Sequence, residues 1–167
     1  MDGARRAPDG SVVKIAAPAL AVIALVAIGT AEALESAREL AELPGRGRPT
    51  LGGGGASLTL AGLVLSIGVY AVLGWSVSSW TARESVALRI GAGVGLAAGL
   101  IGGTIRALAV RDYVDSIVSG FGLPLELATF ALAVFVVLAV VASALGGAGI
   151  TWLSFRSARK RSQRPLA

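Results

Sequence analysis

The chain has 167 residues, no cysteine, no histidine and a formal net charge of +5. Those absences exclude disulfides, thiolate catalysis and the usual protein ligands of haem, zinc and copper, so neither a metal centre nor a cofactor is expected. With 54% hydrophobic and 15% charged residues and a mean hydropathy of +0.76, the composition demands lipid rather than water around the chain.

A bilayer crossing needs about 20 mostly apolar residues, and four stretches meet that length. They define an all-α, polytopic membrane protein with an N-terminal segment (1–10), a four-helix transmembrane domain (11–155) and a basic tail (156–167). Helices are required because hydrocarbon forces the backbone to satisfy its own hydrogen bonds, and no alternating strand pattern is present.

The first helix is predicted over 12–30, in the charge-free run between Lys14 and Glu32, with Pro18 near its start where proline is best tolerated. Arg5, Arg6 and Lys14 before it and Ala31-Glu32-Ala33 after it also fit a cleavable signal peptide. Against cleavage, the run is longer than a usual signal core and no turn residue intervenes between Thr30 and Leu43. The helix is therefore expected to continue to 43. Glu32, Glu35, Glu39 and Glu42 then share one face, read as a solvated acidic side, with a cation or basic partner as the alternative. PGRGRPTLGGGG follows as a connector.

The second helix is predicted over 57–80, with Ser66 and Tyr70 its most central polar groups. The third, 86–110, contains GAGVGLAAGLIGG, six glycines in residues 91–103. Gly91, Gly95, Gly99 and Gly103 recur every four residues and form one stripe, with Gly93 and Gly102 off it. In lipid, where apolar side chains gain little by leaving their solvent, such a stripe lets another helix approach closely. The partner helix lies in the same chain or in a second copy. Ala139, Ala142 and Gly146 of the last helix and Gly62 and Gly68 of the second are candidate receiving surfaces. A phosphate cradle is disfavoured, since no Lys-Ser/Thr follows the glycines and no strand precedes them.

The connection VRDYVDSIVSGFGLP is read as an outer loop. It places Arg111, Asp112 and Asp115 between Arg106 and Glu126, five ionisable groups read as an ion-paired loop at the membrane boundary, with convergence into a ligand or acid–base site at the mouth of the domain as the alternative. The fourth helix is predicted over 125–155. Beyond it, Arg156, Arg159, Lys160, Arg161 and Arg164 are expected to meet anionic lipid headgroups, at about 1 kcal/mol per residue near the surface. Nucleic acid is not an expected partner, because no module for reading it is present. With both termini in the cytoplasm, ten Lys and Arg fall inside and five outside, the orientation that positive charge favours. Trp75, Trp80, Trp152 and Phe155 then share the cytoplasmic interface.

AGLIGGTIRA, RDYVDSI and LELAT resemble, in order, the GGxxGNxxDR, GxVVDF and FNxAD motifs of lipoprotein signal peptidase (signal peptidase II), a four-helix membrane aspartic protease with both termini inside. The resemblance covers about 35 residues besides the topology and basic tail. It sets the family's catalytic aspartates on Arg106 and Thr129 and its asparagines on Gly103 and Glu126, and keeps an acid only at Asp115. An aspartic mechanism needs one protonated and one ionised carboxylate facing each other. The resemblance thus implies a non-catalytic relative that binds a lipid-linked or helical peptide. The reading from the residues is a non-enzymatic interaction, assembly or accessory component of a bacterial or archaeal cytoplasmic membrane, with a membrane protein or a second copy as partner. The alternatives are the signal-peptidase-like protein or a small transporter using the outer Arg/Asp/Glu group.

Overall fold

The computed structural model of the chain describes residues 10–42 and 54–162, with side chains over 15–38 and 59–162. Five helices follow in order: α1 (Gly10–Glu42), α2 (Gly54–Trp80), α3 (Glu84–Ala109), α4 (Arg111–Gly120) and α5 (Leu125–Ser162). No strand occurs among the described residues. The protein is an all-α, polytopic membrane protein: α1, α2, α3 and α5 are each long and apolar enough to cross a bilayer.

Helix α1 runs unbroken through Pro18 and past Glu32. At 38 residues, or about 57 Å at 1.5 Å per residue, α5 is far longer than the roughly 30 Å of hydrocarbon. It carries Arg156, Arg159, Lys160 and Arg161 as a helical extension rather than as a separate tail. Arg164, like the connector after α1, lies outside the described residues.

The segment expected to be an outer loop is instead the helix α4, set off from α3 by Val110 alone. Its sequence explains why. Tyr113, Val114, Ile117, Val118 and Phe121 fall on one side of a helix, and Arg111, Asp112, Asp115, Ser116 and Ser119 on the other. Glycine is required at its end: Gly122 has φ +67°, and the Leu123 and Gly122 amides donate to the Val118 and Ser119 carbonyls at 3.0 and 2.9 Å. That is the Schellman stop, and Pro124 follows it.

The spanning helices pack as neighbours in the order α1–α2–α5–α3, with α3 returning to α1 and the most extensive contact between α3 and α5. The core they enclose is built of small residues. Ala21, Leu25, Leu73, Val77, Ala87, Val94 and Ala98 pack around Tyr70 and Phe155. Large apolar side chains such as Leu60, Val64, Phe130, Leu138 and Leu145 point outward, as a lipid solvent permits.

Candidate functional site

Three arrangements carry the chemistry of this fold, and all depend on how closely α3 and α5 approach. The four stripe glycines, Gly91, Gly95, Gly99 and Gly103, are all buried. A Cβ placed on Gly91 would lie 2.5 Å from the Gly147 carbonyl oxygen. One on Gly95 would fall on the Ser143 carbonyl and 2.9 Å from the Ala144 Cα, and one on Gly99 2.9 Å from the Val140 Cα. At Gly103 the nearest atom is the Ala139 Cβ at 3.2 Å. Gly93 and Gly102 have nothing within 4 Å of that point. The stripe's partner is therefore α5 of the same chain. Of the candidate receiving residues only Ala139 lies on the seam. Ser143 and Gly147, which also touch it, stand one position on from Ala142 and Gly146, while Gly68 faces open space. On α2, Gly74 makes a further close approach to the Thr151 carbonyl and Ser154 of α5.

The second arrangement is a partly open cavity of about 210 Å³ lined by all four spanning helices, far more room than one water needs. Glu32 of α1 and Arg106 of α3 sit in its wall with Ser66 and Tyr70 of α2 and Ser143 of α5. The Arg106 Nη1 lies 3.8 Å from the Glu32 Oε2, with the two side chains 37% and 17% exposed. Glu32 also presses on Gly62, where no Cβ stands in its way. Among the described residues none of these five polar side chains makes a hydrogen bond, and the long ion pair is their one polar contact. A carboxylate accepts several hydrogen bonds and a guanidinium donates up to five, so both partly exposed groups can engage solvent or a ligand beyond their mutual pair.

Glu32 therefore does not belong to the solvated acidic face assigned to it. It turns inward, and the signal for this was available: Glu32 is the first charge after the apolar run of α1, as Arg106 is after that of α3, so the two charges reach the same depth. Ser143 carried no comparable mark in an apolar helix of mixed small residues.

The five outer ionisable groups do not converge. Arg106 is drawn away to Glu32. Arg111 pairs with Asp115 one turn along α4, Nε to Oδ2 3.6 Å, because helical spacing puts them on one face. Asp112 and Glu126 are exposed and have no ion-pair partner among the described residues.

At the opposite end, the short Thr81–Arg83 turn is tied to α5. The Trp152 Nε1 donates to the Glu84 Oε2 at 2.8 Å, and the Arg156 Nε lies 3.4 Å from the Glu84 Oε1. Arg156 stacks 4.8 Å above the Trp152 ring, and the Arg159 Nη1 donates to the Ala82 carbonyl at 2.6 Å. Arg156 and Arg159, expected at lipid headgroups, also make these contacts within the protein, and Arg156, Lys160 and Arg161 are exposed. No family model, curated protein or solved structure matches the chain.

Proposed function

We propose that the chain is a non-enzymatic membrane protein, an accessory or assembly component that binds a polar ligand inside a four-helix bundle. The observation that carries this reading is the Glu32–Arg106 pair, set in a cavity whose polar groups have almost no partners of their own. Ionisable residues on membrane helices are costly and are kept where they meet a ligand or each other. The position that the signal peptidase II resemblance gives to a catalytic aspartate holds Arg106, which has no carboxylic proton to exchange, so the role is binding.

The glycine zipper of α3 serves the bundle itself, being filled by α5. A membrane-protein partner or second copy must use another surface. The excess of Lys and Arg on one side supports a cytoplasmic position for both termini, with Lys160 and Arg161 toward anionic headgroups, and we assign the chain to a bacterial or archaeal cytoplasmic membrane.

The test is native mass spectrometry of the full chain, extracted gently from its host membrane, beside the Glu32→Gln/Arg106→Gln double variant. A bound small molecule or lipid on the wild type that the variant lacks is the expected result. The same bound species on both, or none on either, would end the reading.

A further inference from the structure

We infer that the site takes one membrane lipid with a zwitterionic ammonium–phosphate headgroup: the ammonium on Glu32, the phosphate on Arg106, and an acyl chain in the groove between α2 and α5. This rests on the cavity being a binding site and adds what fills it.

Charge comes first. Glu32 and Arg106 cancel, and at 3.8 Å they are not closed into a tight hydrogen-bonded pair. A lone anion arriving at Arg106 would meet the Glu32 carboxylate, and a lone cation at Glu32 would meet the guanidinium. A ligand carrying both charges satisfies each without leaving a net charge in low dielectric. Phosphate suits the planar fork of an arginine, and a primary ammonium suits a carboxylate with free lone pairs.

Depth agrees. The charge-free runs 15–31 of α1 and 90–105 of α3 are each about 25 Å long at 1.5 Å per residue, slightly short of a roughly 30 Å hydrocarbon core. Glu32 and Arg106 close those runs at the same end, which sets them at the level where lipid headgroups begin.

A path for the chain starts from the same residues. A groove of about 390 Å³ runs between α2 and α5, and Glu32, Ser66, Tyr70 and Ser143 line both it and the cavity. From Thr59 to Tyr70 the groove follows α2 for about 16 Å at 1.5 Å per residue, headgroup level toward mid-bilayer. Leu63 and Ile67 on its rim are 56% and 43% exposed, so it opens sideways to lipid. Gly146 lies in its wall, and a Cβ there would meet nothing within 4 Å. A larger apolar groove between α1 and α2, about 650 Å³, has no charged group to fix a headgroup.

Gly146 supplies the decisive variant. Gly146→Leu fills the groove while leaving the α3–α5 seam, Glu32 and Arg106 untouched. The full chain, delipidated in detergent, is titrated by native mass spectrometry with phosphatidylethanolamine, phosphatidylglycerol and soluble phosphoethanolamine. The expected result is a preference of at least about tenfold for phosphatidylethanolamine over each of the others. Glu32→Gln and Gly146→Leu should each weaken that binding by about tenfold or more, with the melting temperature of Gly146→Leu unchanged. Phosphatidylglycerol held as tightly, soluble phosphoethanolamine held as tightly, or Gly146→Leu binding like the wild type would each overturn the inference, as would a cavity that takes up water alone. A polar small molecule that the wild type binds and Glu32→Gln loses, without any lipid preference, ends this inference and leaves the binding function standing.

Discussion

Alanine at Gly95 and at Gly93 should move stability in opposite directions, although the two residues are two positions apart on one helix. Both substitutions remove a flexible glycine, worth about 0.5–1 kcal/mol in favour of the helix. At Gly93 that gain is all there is, because a Cβ there meets nothing within 4 Å. At Gly95 the new methyl falls on the Ser143 carbonyl, 2.7 Å from its carbon and 2.9 Å from the Ala144 Cα. These are backbone atoms that cannot rotate away. Carbon atoms rest at about 3.5–4.0 Å, so α3 and α5 must separate by roughly 0.8 Å or more, at an overpacking cost of about 1–3 kcal/mol. The helix-propensity gain is common to both variants, so the difference between them isolates the overpacking term, about 1–3 kcal/mol. Unfolding in mixed micelles of increasing sodium dodecyl sulfate content, followed by far-UV circular dichroism and tryptophan fluorescence, measures that difference. Equal midpoints for Gly93→Ala and Gly95→Ala would refute the close α3–α5 seam.

Thr151 is fully buried and its Oγ1 has no hydrogen-bond partner among the described residues; Thr151→Val, which keeps the shape, should leave stability unchanged or raise it by about 1 kcal/mol in the same unfolding assay. Removing Glu84 by Glu84→Ala frees both the Trp152 indole and Arg156, and because these contacts are exposed the loss should stay near 1 kcal/mol, accompanied by a red shift of tryptophan emission. A Glu84/Arg156 double-mutant cycle should give a coupling below about 1 kcal/mol. Gly62→Ala puts a methyl where the Glu32 carboxylate rests and should push that flexible end away from its seat; the stability change caused by Glu32→Gln should then shrink in the Gly62→Ala background, and an unchanged difference would show that the seat does not matter.

The spanning helices were legible because hydrocarbon excludes charge: the runs ended by Lys14 and Glu32, or by Arg89 and Arg106, need no tertiary information to be recognised. The glycine stripe was legible as a helical face for the same local reason. Its partner was less so: the four-residue spacing repeats on α5 at Ala139, Ser143, Gly147 and Thr151, while one residue back Ala142 and Gly146 are as small but are flanked by Leu138 and Ile150. In the register the chain adopts, α2 packs on the adjoining side, where Gly147 meets the Tyr70 ring and Gly74 meets Thr151. Helix α4 was hidden by its own composition: GFGLP and two aspartates read as a loop, while the apolar face of Val114, Ile117, Val118 and Phe121 shows itself only once the segment is wound. The site was missed by half for a related reason, as Glu32 shares its face with Glu35 and is separated from it only by where the first helix leaves the bundle.

The position of the polar cavity follows from the seam. A Cβ on Gly91, Gly95 or Gly99 would find α5 atoms closer than 3.0 Å, whereas on Gly103 the nearest atoms are a side-chain methyl at 3.2 Å and the Val136 Cα at 3.8 Å. The two helices are therefore tightest around Gly91 and Gly95 and spread from Gly99 toward α4. Gly99, Gly102 and Gly103 line the cavity where that spreading begins, with Phe135 and Ala139 across from them. A bundle splayed at one end must fill the wedge with bulk, solvent or ligand. Here α1 sets a carboxylate in it and α3 a guanidinium. Polar residues in the widened end of a frame otherwise built from alanine, valine and glycine are what the proposed binding site requires, and the close α3–α5 seam beside them anchors the helix that carries Arg106.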